Sequence, residues 1–164
     1  MTKVGLLSDT HGFLDPRLEE HFKNCDEIWH AGDFGNISIS QQLSALKPLR
    51  GVYGNIDGQD IRKIHPLHLR FNCEELQVWI THIGGFPGKY HPSVRRELQN
   101  NPPGLFICGH SHILKIIHDK QFNLIHINPG AAGKEGFHQV RTAVRFAVEK
   151  TKIRDLEIIE LGTR

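Results

Sequence analysis

Residues 3–12 have the sequence KVGLLSDTHG, in which a short apolar run gives way to a polar turn. Lys3 to Ser8 predicts a buried β-strand, because the run is short, continuous and apolar. Asp9 and His11 follow at its end. In open α/β sheets, sites are built from the loops at the carboxyl ends of strands, where the sheet holds the roots of the loops rigid.

The same arrangement recurs along the chain. Further strands are predicted at Glu27 to His30, Leu49 to Tyr53, Leu76 to Thr81 and Leu105 to Cys108. The polar side chains that follow the five strands are Asp9 and His11, Asp33, Asn55, His82, and His110 with His112. From one cluster to the next the gaps are 24, 22, 27 and 28 residues, close to the length of one strand-helix or strand-strand unit. We therefore expect the seven side chains to meet in space.

The order of the elements predicts the fold class. Helices over Arg17 to Lys23 and Ser40 to Leu46 connect the first three strands, as in the beginning of a doubly wound α/β sheet. The second half is mostly β, with one helix near Ser93 to Gln99. Its other predicted strands are Leu67 to Phe71, Ile113 to His118, Phe122 to Ile127, Thr142 to Val148 and Ile153 to Leu161. We predict two sheets packed face to face with helices outside, in a single domain spanning 1–164.

The composition of the chain argues against several classes of protein. A net charge of +2 is too small to indicate a general nucleic-acid or membrane surface. The three cysteines, Cys25, Cys73 and Cys108, form no CxxC pair, which argues against a disulfide framework and against a thiolate zinc site. The only apolar run near the start, Val4 to Leu7, is too short for a signal peptide. A reducing, cytoplasmic location is expected.

The seven clustered side chains are metal ligands by type. Divalent Mn, Fe, Co, Ni and Zn accept imidazole and carboxylate together, and a carboxylate can bridge two ions. Asp9, His11 and His112 with Asp33 would hold one ion; Asn55, His82 and His110 with the same Asp33 would hold the other. Two such ions, about 3.5–4 Å apart, clamp the attacking and leaving oxygens of an in-line displacement at phosphorus and lower the pKa of a shared water. With Asp9, Asp33 and a bridging hydroxide they leave one net positive charge, which suits a singly charged phosphodiester slightly better than a monoester.

Five ordered motifs carry a family resemblance. They are Asp9-Thr10-His11, Gly32-Asp33, Gly54-Asn55-Ile56-Asp57, Thr81-His82 and Gly109-His110-Ser111-His112. Together they resemble the motifs of the calcineurin-like metallophosphoesterase superfamily, and most closely those of its small single-domain bacterial and archaeal phosphodiesterases. The resemblance implies a four-layer α-β-β-α sandwich of two mixed β-sheets flanked by helices, two metal ions, and phosphoester hydrolysis, with the ligand roles given above.

Three positions depart from the family pattern. Ile56 and Asn36 stand where the protein serine/threonine phosphatase branch has a histidine and an aspartate that together protonate the leaving group. Leaving-group protonation would then come from water, from another side chain, or not at all. Ile83 replaces the glycine that usually follows the Thr-His pair, so the loop after His82 is expected to differ.

Residues outside the five motifs are expected to support the site or the core. His30 is expected to pack or hydrogen-bond near the site, Asp57 to orient a ligand or the Asn55 loop, and Cys108 to be a core residue. The loop Gly84 to Pro92 follows His82, so Lys89, Tyr90 and His91 are candidates for contact with the substrate. No other role is assigned to the remaining histidines, His21, His65, His68, His91, His118, His126 and His138.

The sequence therefore predicts a binuclear metal-dependent phosphodiesterase, in which a metal-bridging hydroxide attacks phosphorus in line and Asp33, Asn55 and His110 are the catalytic residues. Mn²⁺ is the ion expected to support activity in vitro. The expected partner is a small-molecule phosphodiester, without stable nucleic-acid or membrane binding and with a possible homodimer. Two alternatives stay open: a phosphomonoesterase or nucleotide phosphatase, and a non-catalytic protein-binding scaffold, as in a eukaryotic retromer subunit that resembles this fold.

Overall fold

The computed structural model describes residues 1–164. The first half contains β1 (Thr2–Leu7), α1 (Arg17–Phe22), β2 (Glu27–His30), α2 (Ile37–Leu46), β3 (Leu49–Gly51), α3 (Gln59–Arg62), β4 (His68–Cys73) and β5 (Leu76–Thr81). The second half contains β6 (Gly85–Phe86), β7 (Lys89–Tyr90), α4 (Pro92–Asn100), β8 (Leu105–Ile107), β9 (Leu114–Asp119), β10 (Leu124–Pro129), β11 (Val140–Glu149) and β12 (Lys152–Thr163).

Most strands belong to two five-stranded mixed sheets. The first sheet has the order β12-β11-β1-β2-β3, with β1, β2 and β3 parallel and β11 and β12 antiparallel. The second has the order β4-β5-β8-β10-β9, with β5, β8 and β10 parallel and the outer strands β4 and β9 antiparallel. Each sheet therefore contains three neighbouring parallel strands whose carboxyl ends lie at one edge.

Alternating side chains of the central strands enter different cores. On β2, Trp29 packs between the two sheets and Ile28 packs on the helical side, since neighbouring side chains on a strand point to opposite faces. The core between the sheets joins residues such as Val4 of β1 to Ile80 of β5. Burial on both faces explains why these strands are almost continuously apolar.

Helices cover the outer face of each sheet. Leu18 and Phe22 of α1 and Leu43 of α2 lie in the outer core of the first sheet. Val94 and Leu98 of α4 lie against the second sheet. The layers are therefore helix, sheet, sheet and helix, and the predicted four-layer sandwich is confirmed. None of the helices is long and apolar enough to cross a membrane.

The predicted elements are found, with differences at short ones. α2 begins at Ile37 rather than Ser40, because the Asn36 side chain caps it by accepting a hydrogen bond from the Ser38 N–H (2.8 Å). β3 ends at Gly51, before Tyr53. The one-turn helix α3 and the β6–β7 hairpin were not predicted; the hairpin lies in the segment Gly84 to Pro92, which was expected to be a loop. Elements of two to four residues are too short to carry a periodicity.

Candidate metal centre

The predicted ligands all follow carboxyl ends of parallel strands, namely β1, β2, β3, β5 and β8. The loops are joined by backbone hydrogen bonds, in which Asp9 N donates to Gly32 O (2.9 Å) and Gly109 N donates to His82 O (2.9 Å). A further bond joins the two sheets, since His110 N donates to Asp9 Oδ2 (3.1 Å). The convergence expected from the spacing of the clusters is therefore present.

Five of the seven predicted ligands have a left-handed backbone. The φ angles are 53° at Asp9, 46° at His11, 58° at Asp33, 69° at His110 and 61° at His112. Residues other than glycine rarely adopt this conformation, and where they do, the surrounding structure must enforce it. Such residues concentrate at functional sites, and here the turns bring both members of the Asp9–His11 and His110–His112 pairs to one region.

One carboxylate oxygen of Asp9 accepts hydrogen bonds, and the other has no hydrogen-bond partner. Oδ2 accepts from Ser8 Oγ (2.6 Å) and from His110 N. Oδ1 has no hydrogen-bond partner and lies 3.1 Å from His112 Nε2 and 3.8 Å from His11 Nε2. Asp9, His11 and His112 form one group whose ligand atoms all lie within 4.8 Å of one another.

Asp33 connects this group to a second one. Its Oδ1 accepts from Ile56 N (3.1 Å), and its Oδ2 lies 3.1 Å from His82 Nε2 and 3.4 Å from His11 Nε2. Asp33, His82 and His110 form the second group of ligand atoms within 4.8 Å. Asp33 Oδ2 therefore lies between nitrogens of both groups.

The orientation of His82 is fixed by the first sheet. Its ring is buried, and Nδ1–H donates to Ala31 O at 2.7 Å. The proton on Nδ1 leaves the lone pair of neutral imidazole on Nε2, which points toward Asp33. A backbone carbonyl in this role is common for metal-binding histidines.

The donor set fits a divalent ion. Three buried atoms at the centre, Asp9 Oδ1, His11 Nε2 and His82 Nε2, have no hydrogen-bond partner. Buried polar atoms in native proteins almost always have partners, and ions bound by the two ligand groups would satisfy these three. Carboxylate and imidazole together suit the Mn-to-Zn group of metals.

The electrostatics of the site also favour a bound cation. Burial alone would raise the pKa of Asp9, but the neighbouring imidazoles of His11, His112 and His82 outweigh it and hold that pKa well below its usual range. Contact with Asp9 raises the pKa of His11; at His82 burial is outweighed by Asp33 and Asp9, which raise its pKa. A bound cation would replace the protons that these carboxylates attract, so ion affinity should fall at low pH.

Asn55 lies near His82 of the second ligand group. It is exposed and lines a cavity of about 310 Å³ that also includes His82. Its loop is held by the buried Asp57, whose carboxylate accepts from Gly54 N (2.8 Å), Phe34 N (3.1 Å) and Gly35 N (2.9 Å). Asp57 thus ties the Asn55 loop to the loop of Asp33, as the sequence interpretation expected.

His138 is a neighbour of the site that the sequence interpretation missed. Its Nε2–H donates to Gly133 O (2.8 Å), and its Nδ1 lies 3.3 Å from His112 Nδ1. Burial lowers the pKa of His138, so the neutral ring can accept a hydrogen bond from His112 Nδ1–H and direct the His112 Nε2 lone pair to the centre. The two histidines are 26 residues apart in sequence and belong to no shared motif.

Of the loop residues expected to contact the substrate, His91 and Tyr90 lie in different surroundings. His91 lines the cavity. Tyr90 instead donates to Asp119 Oδ2 (2.6 Å) and packs beside Phe106, so its side chain belongs to the outer core.

His30 packs near the site as expected: its Nδ1 accepts from Gly32 N (3.1 Å), which leaves its Nε2–H to donate to Thr10 Oγ1 (3.0 Å). Cys108 is a fully buried core residue as expected, and burial raises the pKa of its thiol to about 12.

Residues 2–151 match the Calcineurin-like phosphoesterase superfamily domain, so the chain belongs to that superfamily. Among individual proteins, it is 25% identical over 135 residues to a probable metallophosphoesterase of Methanothermobacter thermautotrophicus, with 78% of this chain and 76% of that protein covered.

Solved structures share the whole fold. A novel archaeal phosphodiesterase superposes with a TM-score of 0.73 at 23% identity, covering 97% of this chain and 99% of that one. Vps29 of Chaetomium thermophilum superposes with a TM-score of 0.76 at 15% identity, covering 99% of both chains. At these identities the likeness establishes the fold alone.

Proposed function

We propose that this phosphoesterase is a phosphodiesterase that works with two divalent ions. The observation that carries the proposal is the position of Asp33 Oδ2, 3.4 Å from His11 Nε2 and 3.1 Å from His82 Nε2. A carboxylate oxygen between two groups of ligands is suited to bridge two ions.

The ligand sets follow from the two groups. Asp9, His11 and His112 would hold one ion together with Asp33. His82, His110 and Asn55 would hold the other, also with Asp33. When bound, two dications lower the pKa of water and neutralise charge on the phosphoryl oxygens; Mn²⁺ is the ion we expect to work in vitro, and Fe, Co, Ni and Zn suit the same ligands.

The candidate ligands differ in solvent exposure, and we assign the buried and the exposed ones different roles. Asp9, Asp33 and His82 are buried, so their geometry is fixed before substrate arrives. His110 and Asn55 are exposed and face the side from which a substrate approaches. Their ring and amide N–H groups are suited to orient a phosphoryl oxygen, which places phosphorus against the buried groups.

No side chain at the two altered family positions can donate a proton to the leaving group. Ile56 is apolar, and the Asn36 side chain caps α2. The leaving oxygen would then take its proton from water or from another side chain, or leave unprotonated, which favours esters with good leaving groups. A site with one net positive charge matches a phosphodiester anion, and likeness to an archaeal phosphodiesterase supports the same substrate class.

The test compares an aryl phosphodiester with the matching monoester in the presence of Mn²⁺. We expect faster turnover of the diester, and a loss of about 100-fold or more in Asp33→Asn, because the amide cannot replace a bridging carboxylate. Asp155→Asn makes the same change in β12 and should leave turnover unchanged. Faster hydrolysis of the monoester would favour a monoesterase or nucleotide phosphatase, and normal turnover by Asp33→Asn would contradict the role of Asp33.

Likeness to Vps29 supports one alternative, a scaffold that binds a protein partner. A scaffold with this site would bind ions yet hydrolyse neither ester. The phosphodiesterase proposal requires hydrolysis together with ion binding, so the same measurement separates the two.

A further inference from the structure

A cavity opens from the second ligand group. Its volume is about 310 Å³, and its wall includes the candidate ligands Asn55 and His82. A phosphoryl group held by these ligands would therefore lie at the mouth of the cavity. None of the lining residues is Asp, Glu, Lys or Arg.

The wall beyond the ligands is formed largely by apolar and ring side chains. Ile83 and Leu67 line it and are 39% and 47% exposed, so each presents hydrocarbon to the space. The rings of Tyr53, His68 and His91 complete the wall. Partial burial lowers the pKa of His68, which favours the neutral form of that ring.

Ile83 gives this cavity an apolar wall that the family pattern does not provide. It occupies the position after His82 where the family pattern has glycine, and a glycine would leave that side of the cavity without a side chain. Ile113 follows His112 in the same way and is 60% exposed, but it does not line the cavity. Exposed apolar side chains thus follow both histidines, and only one of them faces this space.

We propose that the cavity binds an aromatic ester group of the phosphodiester substrate and that Ile83 and Leu67 select for it. The proposal rests on the proposed function, which places phosphorus at Asn55 and His82. One ester group must then extend into the adjacent space. A charged group there would lose hydration without gaining an ionic partner, whereas a flat ring would bury apolar surface against Ile83 and Leu67 and stack on the neighbouring rings.

The test uses two ligands that share a phosphoryl group and differ only in the attached group, methylphosphonate and phenylphosphonate. Their affinities for the Mn²⁺-loaded protein are measured by calorimetry, so no turnover is required. We expect phenylphosphonate to bind about tenfold more tightly, because the ring removes apolar surface from water. In Ile83→Ser this preference should fall several-fold, while the affinity for methylphosphonate stays unchanged.

Two further variants keep the test decisive. Leu67→Ser changes the same wall from another segment and should also reduce the preference, even if Ile83→Ser disturbs His82. Ile113→Ser is the matched control and should keep the full preference. If methylphosphonate binds but phenylphosphonate binds no better, or if Ile113→Ser has the effect of Ile83→Ser, the cavity assignment is wrong while the phosphoryl site stands. If neither phosphonate binds the metal-loaded protein, the proposed function fails and the cavity assignment fails with it.

Discussion

The backbone of Gly54 lies directly against the carboxylate of Asp33. A Cβ atom at position 54 would be 2.0 Å from Asp33 Oδ1 and 2.3 Å from Asp33 N, closer than any real contact. The loops after β2 and β3 are therefore packed with no room for a side chain, and the position of Asp33 depends on the glycine.

Gly54→Ala should displace Asp33 and weaken ion binding. A loss of about 10- to 100-fold in Mn²⁺ affinity is expected, the size of effect usual for residues that position metal ligands. Calorimetric titration of the two proteins measures it. Gly58→Ala is the control from the same loop: its Cβ would meet only Asp60 Oδ1, at an ordinary 3.4 Å. Equal affinities in Gly54→Ala and wild type would show that Asp33 does not bind the ion.

His138→Phe should weaken one of two bound ions selectively. The ring is kept but the acceptor for His112 Nδ1–H is lost, so about tenfold lower affinity is expected for the ion held by Asp9, His11 and His112. His138→Gln supplies an acceptor oxygen and should restore part of the affinity. The exposed His118 provides the control His118→Phe. Unchanged binding of both ions in His138→Phe would leave His138 without a positioning role.

His110 and His91 should differ in their kinetic effects. His110→Ala removes a ligand and an N–H donor, so kcat for the aryl diester should fall about 100-fold or more. His91→Ala should mainly raise KM, because His91 lines the cavity without belonging to either ligand group. Since His91 also caps α4, His91→Asn keeps a capping side chain while removing the ring. A fall in kcat as large for His91→Ala as for His110→Ala would contradict this division.

His126 should make the protein sensitive to acid. It is fully buried on β10, neither ring nitrogen has a partner, and burial lowers its pKa from 6.5 to about 4. Between these values the unfolded chain binds the proton and the folded chain does not, so stability is lost as pH falls through this range, by up to about 3 kcal/mol. His126→Phe should lose less stability than wild type between pH 7 and pH 4. Denaturant unfolding at a series of pH values tests this, and parallel curves for the two proteins would exclude the effect.

The fold was predictable where long apolar runs and polar turns alternate. β1 and β2, and the helices between the first three strands, carry strong local signals, and the seven side chains at the strand ends could be named because a sheet brings such ends together. The left-handed backbones of five of these residues could not be predicted, since Asp9 and Asp33 adopt them only under the constraint of packed loops. His138 and the cavity wall at Leu67 were equally out of reach, because their relation to the site arises from tertiary contacts between segments with no common pattern.

The most direct test of the account is a titration of the metal-free protein with Mn²⁺ in which bound ions and aryl phosphodiester hydrolysis are measured together. We expect hydrolysis to appear only as the second ion binds and to reach its maximum at about two ions per chain. Full hydrolysis with one ion per chain, or without metal, would contradict it.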